Sequence, residues 1–156
     1  MPVKPIPDHY HSVTPYLIVH DAAAAIDYYK RALGATELMR LPRPDGKVAH
    51  AEIKIGDSTI MLADEAPQMG ARSPKTIGGS PVSIMLYVEN VNDRFPKAIA
   101  AGGKEIHPLK DQFYGDRSGT LEDPFGHTWT IGSHVEDVSP EEINKRMAAM
   151  TKGQGA

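Results

Sequence analysis

Residues 14–35, TPYLIVHDAAAAIDYYKRALGA, and their echo at 83–103, SIMLYVENVNDRFPKAIAAGG, decide how this chain is read. Each begins with a run rich in β-branched and aromatic side chains, the signature of a strand. Each passes through a capping residue, Asp21 or Asn90, into a stretch whose apolar positions recur at helical spacing, and each ends on glycine. In the first, Ala22, Ile26, Tyr29 and Leu33 line one face and Gly34 stands at the C-cap position. In the second the helix runs through Phe95, Ile99 and Ala100 to Gly102-Gly103, with Pro96 tolerable only in its first turn.

The stretch after each unit is also repeated. After the first come Thr36 to Leu41, a Pro44-Asp45-Gly46 turn, the alternating run Val48 to Ile55, a Gly56-Asp57 hairpin turn and Ser58 to Ala63. After the second come Lys104 to Pro108, Arg117 to Leu121, a turn at Asp123-Pro124-Phe125-Gly126, and Thr128 to Ile131. Both halves therefore read β, α, β, β, β. The segment between them, Asp64 to Ser80, is mostly Pro, Gly, Ser, Ala and charge and reads as a linker or loop. Upstream, Val13 to Val19 reads as the first strand, and Pro2, Pro5 and Pro7 mark an extended lead-in before it. Downstream, Ser139-Pro140-Glu141-Glu142 opens a final helix ending before Gly153. The expected architecture is α+β: modules at 12–66 and 81–137, forming a curved mixed sheet around a cavity with helices outside, and a C-terminal helix at 138–152. Neither half buries enough core to stand comfortably alone, so the two should pack as one domain.

Composition narrows the function classes. The 156 residues hold 17 Lys and Arg against 20 Asp and Glu, a formal charge of -3, which gives no basic footprint for nucleic acid. Without cysteine there is no disulfide, thiolate metal site or catalytic thiol. The start of the chain has no long apolar run of the signal-peptide kind, and no stretch approaches the roughly 18 apolar residues of a membrane span, so a cytoplasmic location is expected.

The stretches TPYLIVHDAAAAIDYYKRALGA, HAEIKIGDSTIMLADE and YGDRSGTLEDPFGHTWTIGSHVEDVSPEE resemble the PhnB-like branch of the vicinal oxygen chelate superfamily, which holds glyoxalases, bleomycin resistance proteins and extradiol dioxygenases. The resemblance implies paired βαβββ modules around a small-molecule pocket and a homodimer. In metal-dependent members the ligands come from the first and last strands of each module. By that motif the corresponding positions here are Thr14, Met61, Ser83 and Thr130, none of them imidazole or carboxylate. The expectation is therefore no metal and no cofactor, with a small molecule as the partner.

Strand alternation independently places Leu17, Val19, Ile60, Leu62, Val82, Ile84, Leu86, Trp129 and Ile131 toward the helices. The opposite face then carries Thr14, Tyr16, Ile18, Thr59, Met61, Ser83, Met85, Tyr87, Thr128 and Thr130. This mixture of hydroxyls, aromatics and thioethers suits a partly apolar ligand. His50 and Glu52, two apart on one strand, are the candidate acid and base, with Lys54 on the same face able to neutralise Glu52. The ligand-binding set is Thr14, Tyr16, Met61, Ser83, Met85, Tyr114, Arg117 and Thr130. Arg117 is read equally as a fork for a ligand anion or as the partner of a nearby Asp, and His134 as a turn or inter-subunit hydrogen-bonding residue. A binding protein or metal-independent enzyme is thus set against a metal-dependent lyase or dioxygenase using ligands such as His50 and Glu52.

Overall fold

The computed structural model describes residues 2–154. Its strands are β1 (Tyr16–Val19), β2 (Thr36–Pro42), β3 (Val48–Ile55), β4 (Ser58–Asp64), β5 (Ser83–Tyr87), β6 (Lys104–Asp111), β7 (Asp116–Glu122) and β8 (Thr128–His134). Its helices are α1 (Ala22–Leu33), the short α2 (Pro74–Ile77), α3 (Val91–Ala100) and α4 (Pro140–Gln154). The duplication is visible in the strand orders, β1-β4-β3-β2 and β5-β8-β7-β6. In both, the outer pair is parallel and the rest antiparallel, so the mixed surface is built as two four-stranded sheets rather than one continuous sheet.

Helices α1 and α3 each cover one face of their own sheet, and they also pack against each other. These two helices therefore lie off the open face of each sheet and in the core that the modules share. On α1, Asp21 accepts from the Ala24 N–H at 3.1 Å, and Gly34 closes the helix at φ 70°. Between these caps Ala22, Ala25, Ile26, Tyr28, Tyr29, Ala32 and Leu33 are buried, the helical spacing read from the sequence. One core contains these residues together with Leu17, Val19, Ile53, Leu62, Phe95, Leu121, Trp129 and Ile131, so both modules share it.

The seam between the modules is aromatic and is organised by one carboxylate. Tyr29 stands 5.5 Å from Trp129, ring centre to ring centre, and 6.3 Å from Phe125. Asp123, in the Pro-Phe-Gly turn, accepts from the Tyr29 hydroxyl at 2.6 Å and the Trp129 indole N–H at 2.9 Å. It also accepts from the backbone N–H groups of Phe125 and His127 at 2.9 and 3.0 Å. Burial first, then the Asp123 charge, push the Tyr29 phenol well above its ordinary pKa, which keeps it a donor. A second tie is His127, whose Nε2 lies 3.2 Å from the Ile18 carbonyl oxygen of the other module.

Several local readings change. β1 begins at Tyr16, not Val13: Pro15 brings no N–H, though its carbonyl still accepts from the Met61 N–H, and this leaves Thr14 outside the strand. Val82, expected against the helices, precedes β5 and is exposed. The supposed linker folds locally into a 3-10 turn at Pro67–Met69 and into α2, which Ser73 caps. Pro96 lies beyond the first turn of α3, where it removes one intrahelical donor. Asn90 makes no side-chain cap; Ser133 Oγ instead takes the Val91 N–H at 3.0 Å and donates to the Val88 carbonyl at 2.6 Å.

Candidate functional site

The helix-free face of the first sheet is where its polar and thioether side chains gather. Strand register aligns Tyr16, Met61, Glu52 and Met39 in one row across β1, β4, β3 and β2. Ile18 pairs with Ala63, and His50 with Leu41, in the neighbouring part of the same face. The pairing slips between Leu41 and Pro42, so that Val48 is buried while Ala49 is exposed beside the hairpin loop.

A cavity of about 900 Å³ opens on this face. Its floor is Tyr16, Ile18, Ala49 and Ala63, and its walls are the 43–47 hairpin and the 64–71 loop. The walls hold themselves together. Arg43 Nε and Nη2 donate to Asp45 at 3.2 and 3.1 Å, and its Nη1 donates to the Glu65 carbonyl at 2.9 Å. Asp64 is buried and accepts from the Ala22 and Val48 N–H groups at 2.8 and 2.7 Å. Glu65 accepts from the Ser73 N–H at 2.7 Å, and bonds from Ser73 and Thr76 hold its carboxyl down to about 2. All three carboxylates of the lining are therefore engaged within the protein. The rest of the lining is mainly Ile18, alanines, prolines and Met69, with Lys47 and Gln68 as polar additions.

At the edge of the cavity the Tyr16 hydroxyl meets His50 Nδ1 at 2.8 Å, and burial raises the Tyr16 phenol above its usual pKa. The structure thus joins His50 to Tyr16. Glu52 shares the face, in register with Met61 and one row away from His50. Among the described residues, no three His, Asp or Glu side chains are arranged to hold a metal ion.

The other expected ligand-binding residues are dispersed. Ser83, Met85 and Thr130 lie on the helix-free face of the second sheet, where Ser83 pairs with Thr128 and Met85 with Thr130. Thr130 shares a hydroxyl hydrogen bond of 2.9 Å with Thr120. Tyr114 sits in the loop before β7, edge-on to Phe113. Thr14 bonds the His11 carbonyl at 3.4 Å, and Thr59 is buried beneath the lead-in, donating to the His9 carbonyl at 2.7 Å. The four positions Thr14, Met61, Ser83 and Thr130 are thus distributed over the lead-in and two separate sheets. Arg117 is turned toward α3: its Nε donates to Asp111 at 2.6 Å and its Nη1 contacts Asn92 Oδ1 at 3.5 Å. Its partner is the cross-strand Asp111, not Asp116 or Asp123, because register and not sequence proximity sets the pair.

The sequence reading missed the walls of the cavity, Arg43 to Lys47 and Glu65 to Ala71. Their signal was the density of Pro, Gly and charge, which marks loops without saying what they enclose.

The chain is similar to known proteins in sequence and in fold. An uncharacterized protein of Mycobacterium bovis is 45% identical over 145 residues, covering 91% of this chain and 95% of that protein. A protein of Pseudomonas aeruginosa of solved structure superposes with a TM-score of 0.66 at 26% identity, over 81% of this chain and 99% of that one. A PhnB protein from Bacillus cereus shares the fold, with a TM-score of 0.62 at 18% identity over 79% and 99% of the two chains. Residues 7–131, from the lead-in through the first module and the cavity into β8 of the second, match the family model for the glyoxalase, bleomycin resistance protein and dioxygenase superfamily, and the chain belongs to that superfamily.

Proposed function

We propose that this chain is a small-molecule binding protein, or an enzyme acting without a resident metal, of the PhnB-like branch, and that its ligand occupies the cavity on the first sheet. The observation that carries this reading is the cavity itself: about 900 Å³, with an apolar floor and engaged carboxylates, and with a Tyr16–His50 pair at its edge. Ligand sites commonly combine an apolar lining with a few placed polar groups. The arrangement suits a mostly apolar ligand oriented by a phenol, an imidazole and the Lys47 ammonium. The superfamily's metal does not fit the residues at its customary positions, since Thr14, Met61, Ser83 and Thr130 supply hydroxyls and a thioether. His50 and Glu52 remain the candidate acid and base. Of the two, His50 is nearer to use because Tyr16 already orients its ring.

A thermal-shift screen of small aromatic and aliphatic compounds tests the reading, since a ligand that binds only the folded state raises the melting temperature. Compounds that stabilise the protein should also perturb the Tyr16 and His50 resonances. Stabilising compounds that leave both untouched would place binding elsewhere.

We further infer a cytoplasmic homodimer. No described helix is long and apolar enough to cross a membrane. The sheets end in unpaired edges at β1, β2, β5 and β6, and their open faces expose Tyr16, Leu41, Met85 and Tyr87. Exposed edges and apolar patches of this kind are ordinarily covered, and a second copy related by a two-fold axis covers both. Light scattering at micromolar concentration should give twice the chain mass of 17.0 kDa; a monomer mass would contradict the assembly.

A further inference from the structure

The closing run of the sequence contains a second group of reactive side chains, away from the cavity. Asp116 and His134 face each other across the β7–β8 ladder. Asp116 is 4% exposed. Its Oδ2 accepts from the Tyr87 hydroxyl of β5 at 2.7 Å, and its Oδ1 lies 2.9 Å from His134 Nδ1. The other ring nitrogen, Nε2, lies 2.7 Å from Oδ1 of Asp137, whose side chain is fully exposed.

An ionised carboxylate only accepts hydrogen bonds, so an imidazole held between two of them must carry a proton on both nitrogens. The bonds that His134 donates to Asp116, then those to Asp137, accordingly raise its pKa above its ordinary value. Neutral histidine has one N–H and keeps one of the two partners. Asp116 is buried and also fixed by Tyr87, whereas Asp137 is free to swing into water. Loss of the proton therefore releases Asp137.

Asp137 lies where release matters. Just before it, the N–H groups of Val135 and Glu136 both bond the Gly115 carbonyl, at 2.9 and 3.0 Å. Just after it, Ser139 Oγ caps α4 through the Glu142 N–H at 3.2 Å. The helix itself docks through Arg146, which donates to the Phe113 carbonyl at 3.0 Å and to Glu136 at 2.8 Å, and pairs with Glu142 at 3.1 Å. Its Met147 and Met150 are exposed, so little burial holds it in place. The charged groups that meet His134 are Asp116 of β7 and Asp137 of the following segment; behind them, Tyr87 of β5 bonds Asp116, Arg146 of α4 pairs with Glu136, and Asp111 of β6 lies near Glu136. Tyr114, from the loop before β7, lies near Tyr87. Arg146 is committed to Glu136 and Glu142, and His134 is the cation that meets Asp116 and Asp137.

We propose that His134 is a proton-operated latch: protonated, it clips Asp137 to Asp116 and holds the start of α4 against the loop before β7, and neutral, it lets that segment go. The sign follows from the direction of the shift. A folded-state histidine pKa above the unfolded value adds stability that is complete below the ordinary histidine range and is lost as pH rises through the raised value.

The test is amide hydrogen exchange on the full chain at about pH 6 and about pH 9, corrected for intrinsic exchange rates. Peptides covering 137–146 should lose protection several-fold at the higher pH, while peptides from β3 do not change. Asp137→Asn, at a fully exposed position, should remove this pH step and leave 137–146 poorly protected at both values. His134→Gln, which cannot carry the charge, should do the same. Equal protection of 137–146 in the native chain at both pH values, or a pH step that persists in either variant, would overturn the latch.

Discussion

Replacing Asp123 by Ala is expected to cost about 4 kcal/mol of folding stability, a large fraction of what a domain of this size has. The carboxylate is 2% exposed and satisfies four donors: the Tyr29 hydroxyl, the Trp129 indole and two backbone N–H groups. An alanine removes the acceptor without removing the donors. Each buried donor left unpaired costs about 1–3 kcal/mol, reduced where the turn relaxes enough to admit water. The loss also falls on the seam between modules, because Tyr29 comes from the first and Trp129 from the second. Urea unfolding followed by Trp129 fluorescence measures the change. A shift below about 1 kcal/mol would mean that the aromatic packing, not the carboxylate, joins the halves.

Ala49→Trp should weaken binding at the cavity by about 2 kcal/mol or more, a factor of about thirty, while leaving the fold intact. Ala49 is exposed at the irregular start of β3, so a larger side chain meets no core atoms there. It is also part of the cavity floor, so an indole would fill space that a ligand needs. Calorimetric titration with any stabilising compound reports the loss. An Ala49→Trp variant that bound as tightly as the parent would move the site off the first sheet.

Much of the fold was legible because period is local information. Alternation placed Leu17, Val19, Ile60, Leu62, Trp129 and Ile131 in the core, where all six are buried. Asp21 and Gly34 bound α1 as read. The duplicated order of elements was legible because both halves use the same punctuation of caps and turns. The features that escaped reading depend on pairings between distant residues. Ser133 caps α3 from 42 positions away in sequence, and the hint of Asn90 as a cap was overridden by that bond. Arg117 finds Asp111 through the β6–β7 register, although Asp116 is its neighbour in sequence. His134 likewise gains its partners from a ladder and a turn, which single-residue reasoning does not contain. Tyr16 and Met61 were legible as sharing one face, and His50 and Glu52 as sharing one side of β3, but the register that brings the two pairs together and the loops that turn that face into a cavity were not.

Metal-independent binding in the cavity is tested most directly by the affinity of a cavity-binding compound before and after exhaustive chelation, with metal content followed by elemental analysis. Thr14, Met61, Ser83 and Thr130 offer no imidazole or carboxylate, and His50 is engaged by Tyr16. The expected result is therefore substoichiometric Zn, Ni, Mn and Fe and an unchanged dissociation constant. A stoichiometric metal whose removal abolishes binding, and which disappears in His50→Ala or Glu52→Ala, would contradict it and assign the chain to metal-dependent chemistry.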